Sequence, residues 1–315
     1  MGRSPYLSVI IPLFNEAESL PELYRELREA LRPWADSCEL IFVDDGSTDG
    51  SFEALEKLHT QDPHVVAIRF RRNRGKASAL MAGFRQARGE ILFTLDADLQ
   101  DDPGEVARFL DKLEDGYDLV SGWKVERRDP LVRRILSRIF NRVTSLLTGV
   151  KLHDFNCGFK CYRRAVIREI RLHGELHRYI PALASWRGFS VGEIEVAHRS
   201  RKYGQSKYGS ERIPRGFFDL LTVLMLTRYH LRPLHLFGAL GALVGLAGSA
   251  GIVYLVMGWF FGKWIGNRPL LSLSILMMII GIQFIFFGLL AEIIVYVTRE
   301  TDTPPLASVL DRRSP

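Results

Sequence analysis

Four aspartates crowd the stretch TLDADLQDDP, residues 94–103: Asp96, Asp98, Asp101 and Asp102. Like charges this close repel one another, and a fold gains nothing from them unless something positive sits among them. A hard divalent cation is one such partner, because Mg²⁺ commonly takes only one or two carboxylates and completes its shell with water and substrate phosphates. The other reading is a solvated acidic turn in which Asp101 or Asp102 caps a helix opened by Pro103. Spacing alone leaves both open.

The elements that would carry these residues argue for the first reading. LSVIIPL, CELIFVD, VVAIRF and EILFTLD are short, apolar, β-rich runs, and ESLPELYRELREAL and KASALMAGFRQA between them have helical spacing. That alternation predicts βαβ units and a mostly parallel sheet, with ligands bound beyond the carboxyl ends of its strands. The first strand would deliver Asn15 and Glu16 to that edge, the second Asp44 and Asp45, the fourth Asp96 and Asp98. Three acidic strand ends in one crevice suit a metal and a phosphorylated ligand better than surface solvation. PLFNEAES, after the first strand, carries no glycine fingerprint, so dinucleotide binding of the Rossmann type is disfavoured, and no Walker-type phosphate loop occurs.

The chain has 315 residues, 47% of them hydrophobic, but its apolar residues concentrate in the last third. From Leu234 to Gly262 no residue is formally charged, and about 29 residues at 1.5 Å each exceed a hydrocarbon core of ~30 Å. A second uncharged run, Pro269 to Ala291, holds about 23 residues and is again long enough to span. Nothing at the N-terminus resembles a signal peptide, so the first part of the chain is expected in the cytosol. Arg228, Arg232 and Arg299 flank the spans on that side, against Lys263 and Arg268 in the connecting loop, a modest positive-inside signal. The three cysteines, Cys38, Cys157 and Cys161, suit a reducing compartment; Cys157 and Cys161 read as buried strand residues. A net charge of +6 fits anionic head groups or phosphorylated substrates. No interleaved aromatic and basic pattern points to nucleic acid.

Taken together, FNEAES, DDGSTDGS, FRRNRGKASALMAGF and DADLQDDP resemble the inverting family-2 glycosyltransferases with the GT-A fold. HDFNCGFKCYRR, GEIEVAHRSRKYGQSKYG and the paired C-terminal runs narrow the resemblance to the polyprenyl-phosphate glycosyltransferases, the dolichol-phosphate mannose synthase-like group. The expected architecture is therefore an α/β GT-A domain with amphipathic interface helices, followed by two transmembrane helices. The expected activity is metal-dependent, inverting transfer of a hexose from a nucleotide sugar to a polyprenyl phosphate at the bilayer. UDP-glucose is the first donor the resemblance suggests, with GDP-mannose and UDP-linked amino sugars behind it.

The resemblance also implies roles. Pro12, Asn15 and Glu16 would line the base pocket, and Asp45 would hold base or ribose atoms, as a carboxylate can by accepting two hydrogen bonds. Asp44 and Ser47 can equally be turn-building residues. Asp96 and Asp98 would face the donor, with Asp98 the more direct ligand of Mg²⁺ or Mn²⁺ and Gln100 supporting it. Lys76 and Arg74 would approach phosphate or sugar, unless they are solvated loop charges. Asp154 matches the position the family treats as the base. A lipid phosphate monoester is already largely dianionic at neutral pH, so its role is to accept the proton of any monoanion or to orient the acceptor; a capping or structural aspartate is the alternative. Arg127, Arg138, Arg201, Ser206 and Lys207 are the acceptor-phosphate candidates, arginine's planar fork being suited to phosphate oxygens.

PLVRRILSRIFNRVTSLLTG places apolar residues at helical spacing with arginines largely elsewhere, which predicts a basic amphipathic helix over about 130–149 lying in the lipid interface; a helix packed on the sheet is the alternative. The expected organisation is a cytosolic catalytic domain over 1–212, a juxtamembrane helix over 213–232, spans over 234–262 and 269–292, and a cytosolic tail over 299–315. A homo-oligomer is compatible with it. HGELH resembles a zinc-protease helix, but its glutamate does not follow the first histidine and no third ligand is evident. A processive polysaccharide synthase is the nearest rival, but SWRG at 185–188 lacks that group's upstream glutamine. A catalytically silent scaffold that binds lipid is the other.

Overall fold

The computed structural model describes residues 5–125, 131–172, 174, 176–200, 202–203, 222–223, 225, 229, 232–266 and 268–298. Strands β1 (Leu7–Leu13), β2 (Cys38–Asp44), β3 (Val65–Arg69) and β4 (Ile91–Thr94) alternate with helices α1 (Leu20–Ala30), α2 (Ser51–Gln61) and α3 (Lys76–Gln86). Then follow α4 (Val106–Glu114), β5 (Leu119–Lys124), α5 (Leu131–Thr148), β6 (Lys160–Arg163), α6 (Arg164–Glu169), α7 (Ile180–Trp186) and β7 (Val191–Val196). The seven strands form one sheet in the order β3-β2-β1-β4-β6-β5-β7. β3, β2, β1 and β4 run parallel, as the alternation predicts, while β6 enters antiparallel to both β4 and β5. The sheet is therefore mixed.

Burial explains why these segments become these elements. Every residue of β2 is buried, the pattern of a strand covered on both faces. Val106, Phe109, Leu110 and Leu113 of α4 are buried at helical spacing, so that helix presents one apolar stripe to the core. Gly83 lets α3 lie directly on β1, because a methyl group there would run into Ile10. Cys38 and Cys161 are buried strand residues; Cys157 is also buried but sits in the loop before β6, a correction to the strand expectation. Burial pushes the Cys38 and Cys157 thiols up to about 12 and raises Cys161 as well. Because the thiolate is the reactive form, all three should resist iodoacetamide at about pH 8 until denaturant is added. Intact-mass detection of labelling on folded protein would contradict this.

Among the described side chains of α5, Arg138 and Arg142 are exposed and Phe140 is half-buried against Tyr179, but four others depart from the usual arrangement. Asn141 and Thr144 are buried, while Val143 and Leu146 are exposed, Leu146 by 80%. Asn141 donates from Nδ2 to the His153 carbonyl at 2.7 Å, and Ser145 Oγ to the Leu152 carbonyl at 3.1 Å. Helix α5 thus uses polar side chains to hold the segment after it and leaves apolar ones outward.

The chain divides after Val223 into two compact units. The second contains α8 (Pro233–Phe260) and α9 (Pro269–Thr298), two helices long and apolar enough to cross a bilayer. They pack through small residues: a methyl group on Gly241 would lie 2.6 Å from the Gly281 carbonyl, and one on Gly248 2.7 Å from that of Ser274. Such close backbone approach is how helices associate in lipid, where apolar burial offers no drive. Glu292 accepts the Leu234 N–H at 3.1 Å, so the one acidic side chain in α9 meets an otherwise orphan donor at the start of α8. Trp259, Phe260, Phe261 and Trp264 are exposed around the turn, an aromatic belt of the kind found at bilayer interfaces. The juxtamembrane segment 213–232 lies almost entirely, and the tail 299–315 wholly, outside the described residues.

Candidate functional site

Because β2, β1 and β4 are neighbours, their carboxyl ends bring three acidic loops to one edge. Pro12 lies in β1 opposite Val43. Asn15 adopts a left-handed backbone (φ 53°), which asparagine tolerates. Its N–H donates to Ser47 Oγ at 2.8 Å, and its Oδ1 accepts the Thr48 N–H at 2.8 Å. The Glu16 N–H donates to Ser51 Oγ at 2.9 Å. These bonds lace the loop after β1 to the loop after β2. Asp44 accepts the Ser47 N–H at 2.9 Å and faces Arg69 at 3.7 Å, the turn-building role. Asp45 is buried and accepts the N–H groups of Arg74 (2.6 Å) and Gly75 (2.8 Å), drawing in the loop after β3. Burial raises its carboxyl above the usual range, and those two N–H groups moderate the rise. Each oxygen keeps a second lone pair for a ligand.

The four aspartates separate into different tasks. Asp96 is ion-paired with Lys76. Burial works to raise the Asp96 carboxyl, but the Lys76 ammonium outweighs it, with help from Lys124, and holds it at about 2. Asp101 is buried and ion-paired with Lys124 at 2.6 Å. Asp102 caps the following turn through the Gly104 N–H (2.9 Å) and meets Arg199 at 2.8 Å. Asp98 accepts the Gln100 N–H at 3.3 Å across Leu99, whose φ of 59° is rare for a bulky residue. Leu99 is buried in the core, which holds this turn in place. Backbone strain of this kind clusters at ligand sites, where the surrounding packing over-determines it.

Among the described residues no three or more His, Cys, Asp or Glu side chains form a metal cage. Asp98 and Gln100, with Asp96 beside them, are an all-oxygen donor set with few protein ligands. That chemistry fits a hard cation completed by phosphates and does not fit zinc.

Asp154 is buried in the loop before β6 and accepts the Asn156 N–H at 3.0 Å. That loop packs against the aspartate turn: a methyl group on Gly158 would sit 2.5 Å from Asp96 Oδ2. Gly158→Ala should therefore push Asp96 away from Lys76 and lower kcat/KM at least about 10-fold while the melting temperature stays within a few degrees. Unchanged steady-state kinetics would refute that contact. Lys76, Lys160, His177 and Arg178 line a small pocket beside Thr94 and Asn156. Burial, with Lys76 adding to it, lowers the His177 imidazole well below its ordinary value, and burial is the main cause lowering the Lys160 ammonium.

Arg138 is exposed on α5, and Arg74 is an exposed loop residue whose backbone serves Asp45. Arg127, Arg201, Ser206 and Lys207 lie outside the described residues, as do His173 and Glu175 of the zinc-like motif. The approach to the basic loop is described. The Arg199 N–H donates to the Gln100 carbonyl at 2.9 Å, Arg199 also meets Glu26 at 2.7 Å, and Lys202 meets Glu22 at 2.7 Å. Lys124, Lys160, Glu193 and Arg178 were not anticipated. Lys124 and Glu193 find their partners far away in sequence, at Asp101 and at His153 and Asp154, and Lys160 serves main-chain carbonyls, so no side-chain spacing marks them.

This fold and site define a family-2 glycosyltransferase, and the family model "Glycosyl transferase family 2" matches residues 8–171. The chain belongs to that family. Within it, the chain falls in the group of the polyprenyl-phosphate glycosyltransferases: it is 38% identical over 311 residues to "Dodecaprenyl-phosphate galacturonate synthase" of Rhizobium johnstonii, covering 96% of this chain and 91% of the relative. It is also 38% identical to "Undecaprenyl-phosphate 4-deoxy-4-formamido-L-arabinose transferase" of Proteus mirabilis, over 91% of this chain and 88% of that one. Among solved structures, glucosyl-3-phosphoglycerate synthase from Mycobacterium tuberculosis in complex with Mn²⁺ and UDP-glucose superposes with a TM-score of 0.54 at 18% identity, over 71% of this chain and 79% of that chain. That likeness concerns the GT-A fold alone.

Proposed function

We propose that this enzyme transfers a hexosyl group from a nucleotide sugar to a polyprenyl phosphate, with inversion, at the cytosolic face of a membrane it crosses twice. The observation carrying this reading is the meeting of the three strand-end loops with the Asp154 loop, packed on Asp96 through Gly158. Pro12, Asn15, Glu16 and Asp45 would take the nucleotide, and Lys76 and Asp96 the donor's sugar-phosphate side. Asp98 and Gln100, with Asp96, would hold Mg²⁺ or Mn²⁺. When bound, the cation would neutralise charge growing on the departing diphosphate.

The acceptor's second phosphate pKa lies near 6, so most of it is dianionic at neutral pH and attacks without strong base assistance. Asp154 then receives the proton of the remaining monoanion or fixes the direction of attack. Arg138, with Arg127, Arg201, Ser206 and Lys207, would bind the acceptor phosphate. The outward Val143 and Leu146 of α5 support an interfacial helix that keeps this chemistry at head-group level. Arg228, Arg232 and Arg299 in the sequence flanking the spans, against Lys263 and Arg268 between them, give the modest positive-inside bias that supports the cytosolic orientation.

UDP-glucose is the first donor to test and GDP-mannose the next. One observation favours a second reading, a hexuronic acid: Lys76 and Arg178 meet at the pocket that abuts Asp96, and one relative is named for galacturonate transfer. Purified enzyme, undecaprenyl phosphate and a panel of UDP-glucose, UDP-galacturonate, UDP-glucuronate and GDP-mannose, read by product mass, decide the donor. A single added sugar upholds the reading; a ladder of masses would make the enzyme a processive synthase.

A further inference from the structure

The loop that carries Asp154 is gripped by two opposite charges, one on its N–H side and one on its carbonyl side. Glu193, on β7, lies with both oxygens 3.0 Å from the His153 N–H. Its Oε1 also accepts the Asp154 N–H at 3.0 Å, and its Oε2 accepts from His153 Nδ1 at 2.8 Å. The His153 ring is further held by stacking on Trp123 at 4.0 Å between centroids. Lys160, on β6 and buried, donates from Nζ to the Cys157 carbonyl and lies 3.5 Å from that of Phe155.

Charge-assisted hydrogen bonds are stronger than neutral ones; those of Lys160 are buried and little screened by water, while the His153 side of the Glu193 grip is open to solvent. A loop of irregular backbone otherwise has only its own turns to hold it. Here a carboxylate takes two consecutive amides, including that of Asp154 itself, and an ammonium takes the carbonyls after it. The two strands, β7 and β6, are the rigid elements from which the grip is exerted. The Asn141 bond to the His153 carbonyl adds a neutral third point.

We propose that Glu193 and Lys160 are positioning residues that fix the Asp154 carboxylate for the transfer step without touching substrate. The inference rests on the role given to Asp154 above, and goes beyond it by naming what orients that group. A displacement of about 1 Å at a reacting group can cost ~10²-fold in rate. Glu193→Ala should therefore lower kcat about 10²-fold, leave the KM for the donor sugar within about twofold, and leave the affinity for UDP, measured by titration calorimetry, unchanged. Glu193→Gln keeps the side chain's shape and an acceptor oxygen but not its charge, and should recover part of the loss. Lys160→Met should behave like Glu193→Ala, and Lys160→Arg like Glu193→Gln.

The deciding measurement is a double-mutant cycle in the full-length enzyme in undecaprenyl-phosphate vesicles, using the panel donor with the highest wild-type rate. If Glu193 acts through Asp154, Glu193→Ala should cost almost nothing more in an Asp154→Ala background. Equal losses in both backgrounds, or wild-type kcat for Glu193→Ala and Lys160→Met, would overturn the inference. If Glu193→Ala does not fold, Glu193→Gln is read by the same criteria. Full turnover by Asp154→Asn would remove the role assigned to Asp154, whereas an inactive Asp154→Asn beside fully active Glu193 and Lys160 variants would remove only the grip.

Discussion

Asp98→Ala should lower turnover by about 10³-fold while the protein keeps its fold, as expected when a charge-stabilising contact to a leaving group is lost. Asp98 is half-buried and its Oδ1 accepts a local N–H. Burial of Leu99 in the core anchors the strained turn, so the turn should survive loss of the Asp98–Gln100 bond. Initial rates with Mn²⁺ and with Mg²⁺, alongside far-UV circular dichroism and a melting curve, separate loss of chemistry from loss of structure. Exhaustive chelation of the wild type should reproduce the defect, and adding either ion back should reverse it. Near-wild-type rates for Asp98→Ala with every donor of the panel, or full activity after chelation, would defeat the electrostatic basis of the proposed reaction.

The second large effect concerns stability. Lys124→Met leaves the Asp101 carboxylate buried without its cation, and breaking a buried pair from one side costs about 3–5 kcal/mol. For a unit of this size that corresponds to a fall in melting temperature of roughly 10 °C. Burial opposes charge on Lys124, and the Asp101 carboxylate more than offsets it, raising the ammonium above its ordinary value. A raised lysine contributes its stabilisation fully below its unfolded pKa and loses it only as pH climbs through the folded value. The gap between Lys124→Met and wild type should therefore be flat across about pH 6–9. Adding Asp101→Asn should restore most of the loss, since an unpaired buried charge is then no longer present. A single variant that melts with the wild type, measured by scanning fluorimetry in detergent, would show that the pair holds nothing together.

These two experiments also answer why four aspartates share one short stretch. They do not share one partner. Lys76, Lys124 and Arg199 come to three of them from different elements, and Asp98 is set apart by the strained turn at Leu99. The cap its spacing allowed is present in Asp102, Asp101 is one half of a buried ion pair, and Asp96 and Asp98 are the two carboxylates that the proposed reaction would use.

Local pattern carried much of this. The period-2 and period-3.6 runs mark β1 to β4 and the helices between them, because a strand or helix must bury its own apolar face and writes that need into adjacent residues. The uncharged runs mark α8 and α9 for the same reason, since lipid admits no unpaired charge over a span's length. Asn15, Asp45, Asp96 and Asp98 were legible because a parallel sheet sends successive loops to one edge. The antiparallel entry of β6 was not, and neither were Lys124, Lys160 and Glu193. A charge takes its meaning from what lies within a few ångströms, and Glu193 reaches Asp154 across 39 positions of chain. Composition and periodicity determined the layers and the loops that could do chemistry; only tertiary folding decided which opposite charge each carboxylate would meet, because Coulombic pairing depends on distance in space and not on order along the backbone.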